Sequence, residues 1–359
     1  MPILHTMKRP FIPKTVQYIL LVFAAALLCW LAFRGQDFSK IGEELSKSNW
    51  TWIWIAVLLS LIGHIIRAMR WQLLIQANGK KSSLISTLVA LMLGYLSNLG
   101  IPRLGEFTRC GSLNRLTGIS VLGLGGTVVA ERAVDILSLL LIVLATILFA
   151  GNQIKDFAQV NIFVPFQGFL SEHQMLLYVF LGIGFAGFVV LVLVLRYFLK
   201  NNHAILQSKL FQWLGSLWEG LLSALRIKQK GLFLFYTLLI WVLYFSGPLC
   251  ALLALDMGGD QLLEISLYVF VFGSLARTIP LPGGSAGAYH LIISRLLLIY
   301  GFAEYQALGL ATLNHLTQTL FQLVFGIVAA IVFVFLLRKA KWLNDAKKED
   351  SSMQDHPIA

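Results

Sequence analysis

Apolar positions along the chain gather into long runs separated by short basic stretches or proline and glycine clusters, a pattern of membrane-crossing helices and not of alternating strands. Runs at 16–33, 50–74, 119–150, 175–199, 231–255 and 305–337 are long enough to cross a hydrocarbon core of about 30 Å. Two further apolar segments, 84–101 and 265–279, run into Pro102-Arg103-Leu104-Gly105-Glu106 and Pro280-Leu281-Pro282-Gly283-Gly284. Each is expected to be helical until its Pro/Gly cluster breaks the hydrogen-bond ladder.

The basic residues orient these runs, because retained cytoplasmic loops carry an excess of Lys and Arg. The N-terminus, 67–81, 200–230 and 338–347 are basic and belong inside; 36–49 mixes its signs, 151–174 holds one lysine and 256–264 is acidic, so these belong outside. The assignments close only if 84–101 and 265–279 dip into the bilayer and return on the side they entered. The expected fold is all-α: a polytopic integral membrane protein of about six transmembrane helices plus two re-entrant helical hairpins. Lys8, Arg9 and Lys14 ahead of 16–33 resemble a signal peptide, but the run is long and no small-x-small site follows, so it is kept as the first span. The expected location is the inner (cytoplasmic) membrane, with both termini cytoplasmic.

The halves then match element by element: span, amphipathic segment, span, Pro/Gly-broken hairpin, span. Phe38, Ile41 and Leu45 form a short apolar stripe in the first half; in the second, Leu210, Leu214, Leu217, Leu221 and Leu225 form a longer one. Residues 94–102 resemble 273–280, and Glu131-Arg132 with Asp135 lines up with Asn314-His315 with Gln318. Three crossings per half is odd, so the second copy inserts upside down, as in transporters. This divides the chain into a first membrane repeat (1–151), an inverted second repeat (175–337) and a charged cytoplasmic tail (338–359) expected to be disordered. The alternative is that apolar helices resemble one another by composition alone; the matching hairpins and polar trios favour duplication.

Composition adds limits. Hydrophobic residues are 58% of the chain and charged residues 13%, which excludes a soluble protein. The net charge of +11 flanks the apolar runs, where it faces anionic headgroups, and implies no nucleic-acid partner. Cys29, Cys110 and Cys250 are too far apart for a metal or disulfide spacing, and no cofactor motif is present. Gly182, Gly184 and Gly187 spell a dinucleotide-like motif inside a span, where helix packing explains them better. No catalytic motif stands out, so an enzyme is not expected.

The candidate chemistry is intramembrane. Counting about 1.5 Å per residue from the inner surface, Glu131, Arg132 and Asp135 sit roughly 18–24 Å deep. A lone charge there costs about 2.5–3.5 kcal/mol, so the three are paired, solvated or both. Arg132 is free to turn toward Glu106 or an anionic headgroup; an ion-pair network locking the hairpin is the other reading, and both can hold together. The first hairpin offers Asn98, Pro102, Arg103, Gly105, Glu106 and Arg109, with arginine forks suited to phosphate and glycines that let backbone N–H groups approach a ligand. Ordinary positive-inside arginines are the plainer reading. The second hairpin offers Arg277, Pro280, Pro282, Gly283 and Gly284, and the last span Asn314, His315 and Gln318; His315 could relay a proton, recognise a headgroup or simply pack. His64, Arg67 and Arg70 lie near an inner helix end and read first as anchors that snorkel to headgroups.

The string 94–109 (GYLSNLGIPRLGEFTR), Glu131-Arg132 with Asp135, and 279–284 (IPLPGG) resemble the flippase-like transmembrane domain of bacterial lysyl-phosphatidylglycerol synthases. The likeness covers about 16–337. In those synthases it implies movement of aminoacylated lipid between leaflets by the membrane domain, while a separate soluble domain makes the lipid. No such soluble domain follows residue 338 here, so synthase activity is not expected, and relatives tied to glycan-lipid pathways mean that the cargo does not transfer with the fold. After Ser285-Ala286-Gly287-Ala288-Tyr289, His290 stands where the family pattern implies glutamate. The expectation is a lipid translocase whose partners are membrane lipids with anionic phosphate headgroups. Arg103, Arg109 and Arg132 would bind the phosphate, Glu131 and Asp135 would counter a cationic headgroup or hold the arginines, and Asn314, His315 and Gln318 would complete a shared pocket from the other repeat. A membrane-embedded enzyme or accessory subunit of headgroup or glycan-lipid synthesis is the alternative, and a scaffold for envelope biosynthesis the third; oligomeric state is not legible.

Overall fold

Helix ends in this protein follow local capping chemistry, as a computed structural model shows for residues 38–149, 164–175, 226–279 and 281–354, with isolated positions 23, 30, 159, 178, 179, 182, 189, 222 and 223. The expected spans 16–33 and 175–199 and the stripe at 210–225 lie largely outside the described residues, and Pro280 lies outside them altogether. Every described element is helical: α1 Phe38–Ser46, α2 Trp50–Ala77, α3 Leu84–Gly100, α4 Leu104–Thr117, α5 Val121–Phe149, α6 Val164–Glu172, α7 Lys230–Ala254, α8 Leu262–Ala276, α9 Pro282–Ile299 and α10 Glu304–Gln354. A single 3₁₀ turn, Gly259–Gln261, precedes α8.

Starts and stops are written in the sequence. Asn49 caps α2 by accepting the Thr51 N–H at 3.0 Å, and Ser83 and Ser120 cap α3 and α5 by accepting the N–H groups of Ser86 and Gly123, both at 3.1 Å. α2 ends where Gly79 turns left-handed (φ 70°), with Lys80 N–H returning to Ile75 O at 3.3 Å and Gly79 N–H to Gln76 O at 2.9 Å. Gly301 closes α9 in the same way.

Three helices among the described residues are long and apolar enough to cross a membrane: Trp50–Ala77, Lys230–Ala254 and Glu304–Lys339. α5 matches the expected run at 119–150, with its charges in its first half. α10 continues past the 305–337 run because Lys, Ala and Glu, good helix formers, follow it. α6 is an addition, inside a stretch read only as an outer loop. The broken segments form as expected: α3 (17 residues) stops at Gly100 before Pro102, and α8 (15 residues) stops at Ala276. At 1.5 Å per residue each is about 22–26 Å long, short of a full crossing.

The chain forms two compact units, 1–65 with 88–109 and 239–359, and 66–87 with 110–238. In the first, α9 packs between α8 and α10, and α1 lies along α10. Ile41 of the predicted stripe is buried against Leu308, with Leu45 beside them, while Phe38 remains exposed. Tyr289, Ile293, Leu296 and Leu297 fill the core behind α9. In the second unit Trp71, Leu74, Leu113 and Leu124 are buried. The outward faces are oily: α5 exposes Ile136, Leu137, Leu140, Leu141, Leu144 and Leu148, and α10 exposes Leu320, Val324, Ile327, Ile331 and Phe335. Surfaces of this kind match lipid, not water.

Candidate functional site

The residues singled out by the sequence fall into clusters within these units. In the second unit α2 and α5 run antiparallel: Arg67 meets Glu131 and Asp135, and Trp71, one turn on, donates from Nε1 to Thr127 Oγ1 at 2.9 Å. Arg67 Nη2 lies 2.7 Å from Glu131 Oε1 and 2.9 Å from Asp135 Oδ2. Arg70 Nη2 lies 2.6 Å from Asp135 Oδ1 and 3.3 Å from Glu131 Oε1, while its Nη1 donates to Thr237 Oγ1 at 3.4 Å. The Arg70 and Glu131 side chains are 0% exposed and that of Asp135 is 16% exposed. Two cations and two carboxylates thus form a balanced, desolvated network, in which each charge is tolerable only because the others are present.

This network corrects the reading of Arg67 and Arg70 as headgroup anchors: they are buried counterions. The missed signal is charge balance. Two carboxylates deep in a span need two cations, and Arg67 lies about ten residues before the end of α2, as Glu131 lies about ten after the start of α5. Arg132 turns away from this core, with its side chain 40% exposed and Nη1 3.9 Å from Asp135 Oδ2. A cavity of about 470 Å³ in the same unit is lined by Asn78, Lys80, Thr117, Ser120 and Thr127.

In the first unit, the first hairpin closes on itself. Asn98 Oδ1 accepts the Gly105 N–H at 2.7 Å. A Cβ at Gly94 would stand 2.9 Å from Gly105 O, and one at Gly105 would collide with Gly94 O and Asn98, so the backbones touch where only glycine fits. Asn98 and Gly105 therefore fasten the hairpin. Pro102 is half-buried in the turn, and Arg103 is exposed in left-handed backbone (φ 65°). Arg109 is buried, its Nε 3.0 Å from Glu106 Oε2. Of the three arginines assigned to phosphate, one is thus matched by a carboxylate within its own helix.

The second hairpin and α10 supply another cluster in this unit. Arg277 follows the last residue of α8, and its guanidinium carbon lies 4.4 Å from the Tyr289 ring centroid. Tyr289 Oη accepts from Asn314 Nδ2 at 2.5 Å, and Asn314 Oδ1 accepts from Gln318 Nε2 at 3.3 Å. His315 lies 5.3 Å, ring to ring, from His290 and 5.7 Å from Tyr289, with Thr319 Oγ1 3.4 Å from its Nδ1. His290 Nδ1 lies 2.5 Å from Ala286 O, a carbonyl that can only accept, so Nδ1 carries the proton and donates. Tyr289, His290, Asn314 and His315 are all buried. Pro282 sits in the first turn of α9, Gly283 has φ 66° there, and Gly284 is part of that turn. Ser285, also left-handed (φ 64°), is held by its hydroxyl donating to Ile279 O. Gln318 and Asn314 also line a slit of about 10 Å³, beside Ser60, Gly247 and Cys250, with room for no more than about one water molecule.

Arg277 thus meets Asn314, His315 and Gln318 through Tyr289, a residue the sequence did not single out. Its signal was a tyrosine in an apolar helix, whose hydroxyl needs a buried partner. No curated protein and no solved structure gives a significant match to the chain. The family model described as the lysylphosphatidylglycerol synthase TM region matches residues 18–326, and the protein, with its span-length apolar helices, is a membrane protein belonging to that family.

Proposed function

We propose that the protein is a lipid translocase, moving a phosphate-bearing lipid between leaflets of the bacterial cytoplasmic membrane, with both termini cytoplasmic and its halves inserted in opposite senses. The observation that carries the reading is the buried Arg67, Arg70, Glu131 and Asp135 network on apolar helices. A lipid headgroup crosses an oily layer only where polar side chains replace its water, and ionisable groups at such depth mark pathways more often than scaffolding. Membership of a membrane-lipid family supports the same reading. The acyl chains would slide along outward faces such as that of α5, and the headgroup would pass the polar groups. The 10 Å³ slit beside Gln318 is too small for a headgroup, so passage through it would require α7 and α10 to part.

The test is reconstitution of the purified chain in vesicles containing fluorescent phosphatidylglycerol, followed by quenching of the outer leaflet. Protein-free vesicles should lose about half of the signal and protein-containing vesicles most of it. Equal quenching in both would refute translocation, and a chemically altered headgroup without movement would favour a lipid-modifying enzyme.

A further inference from the structure

Arg277 is the one cation in its cluster whose charge no described carboxylate answers. Arg67 and Arg70 share Glu131 and Asp135, and Arg109 has Glu106, whereas Arg277 makes no salt bridge among the described residues. Its guanidinium lies over the Tyr289 ring, and its Nη2 is buried without a hydrogen-bond partner. Arg277 also engages the Tyr289 side chain by a hydrogen bond, and Nη2 is the donor left over. A buried, unanswered donor on a permanent cation is costly, and an oxyanion offers the missing acceptors.

The surroundings have the same preference. Tyr289 accepts from Asn314, which leaves its own hydroxyl proton to donate, and His290 and His315 lie within 6.1 Å and 5.7 Å of that ring. The members are one arginine, one tyrosine, two histidines, an asparagine and a glutamine, with no acidic residue among those described to hold an ammonium group. In the other unit, the carboxylates that could counter a cationic headgroup already engage Arg67 and Arg70.

We propose that Arg277, with Tyr289 and the histidines beside it, binds the phosphate of an anionic lipid whose headgroup carries no amine. This rests on the translocase reading and narrows its cargo class: phosphatidylglycerol-like lipids bind, and zwitterionic or cationic ones are discriminated against. A phosphate group is the shared chemistry, and free phosphate is its other source.

The test measures binding and not movement. Purified full-length protein in detergent is titrated with dioctanoyl-phosphatidylglycerol, dioctanoyl-phosphatidylcholine and inorganic phosphate, and thermal stabilisation is followed. The expected result is saturable stabilisation by the glycerol lipid, at least tenfold weaker binding of the choline lipid, and a loss of about tenfold or more in Arg277→Gln, partly restored in Arg277→Lys. Inorganic phosphate binding as tightly as the glycerol lipid would overturn the lipid assignment. Equal binding of the two lipids by the unaltered protein, or unchanged binding by Arg277→Gln, would overturn the site; the first comparison needs no variant to fold. Selective binding without vesicle translocation would sink the translocase reading alone, and translocation without selectivity would sink this proposal alone.

Discussion

Glu131 is fully buried, and one of its oxygens is shared by two guanidiniums, so its removal should be felt by the whole network. Glu131→Gln leaves Arg67 and Arg70 facing Asp135 alone and should destabilise the protein by about 3–5 kcal/mol. Adding Arg67→Met to that variant should recover much of the loss, because Arg70 and Asp135 remain matched at 2.6 Å. Thermal unfolding of the three proteins in detergent measures this; a double variant less stable than Glu131→Gln would mean that charge matching is not what holds the cluster. The carboxylates were legible in the sequence as deep charges, but their partners were not, because the anchoring reading placed Arg67 and Arg70 at the mouth of a helix that runs on to Ala77. Arg103 makes a different case. Its left-handed backbone is one that glycine adopts without strain, so Arg103→Gly should keep a melting temperature close to that of the parent while removing the charge. A large drop would reveal a packing role that its exposure does not show.

At the scale of elements, the first hairpin depends on a backbone crossing. Gly105→Ala pushes a methyl group into Gly94 O and Asn98, and should cost on the order of 1–3 kcal/mol, whereas Gly100→Ala, which meets open space, should cost less. Equal losses in the two unfolding experiments would argue that the crossing is loose. Both hairpins were legible as apolar runs ended by Pro and Gly, and helix ends such as Gly79 and Gly301 were written locally. The Gly94–Gly105 approach and the Arg277–Tyr289 stack were not, since each joins residues eleven or twelve positions apart on different helices, and no local pattern encodes such pairs. Of the amphipathic stripe, Ile41 is buried against Leu308 of α10 with Leu45 beside them.

For the whole molecule, the run lengths of the sequence pointed to an all-helical membrane protein, and its hairpin strings to the family that matches residues 18–326. The proposed orientation rests on loop charges, and it predicts that single cysteines placed near residues 78 and 343 react with an impermeant reagent only from the cytoplasmic side in intact cells and inverted vesicles. Labelling of either position from outside would break the topology on which the inverted repeat depends. The central claim is that intramembrane polar residues carry a headgroup across the bilayer. The measurement that reaches it most directly is the rate of phosphatidylglycerol movement in vesicles holding the Arg67→Met, Glu131→Gln double variant, alongside the unaltered chain at equal protein density. The account predicts a variant that still unfolds cooperatively near the parent temperature yet moves lipid at least tenfold more slowly; the parental rate in that folded variant would contradict it.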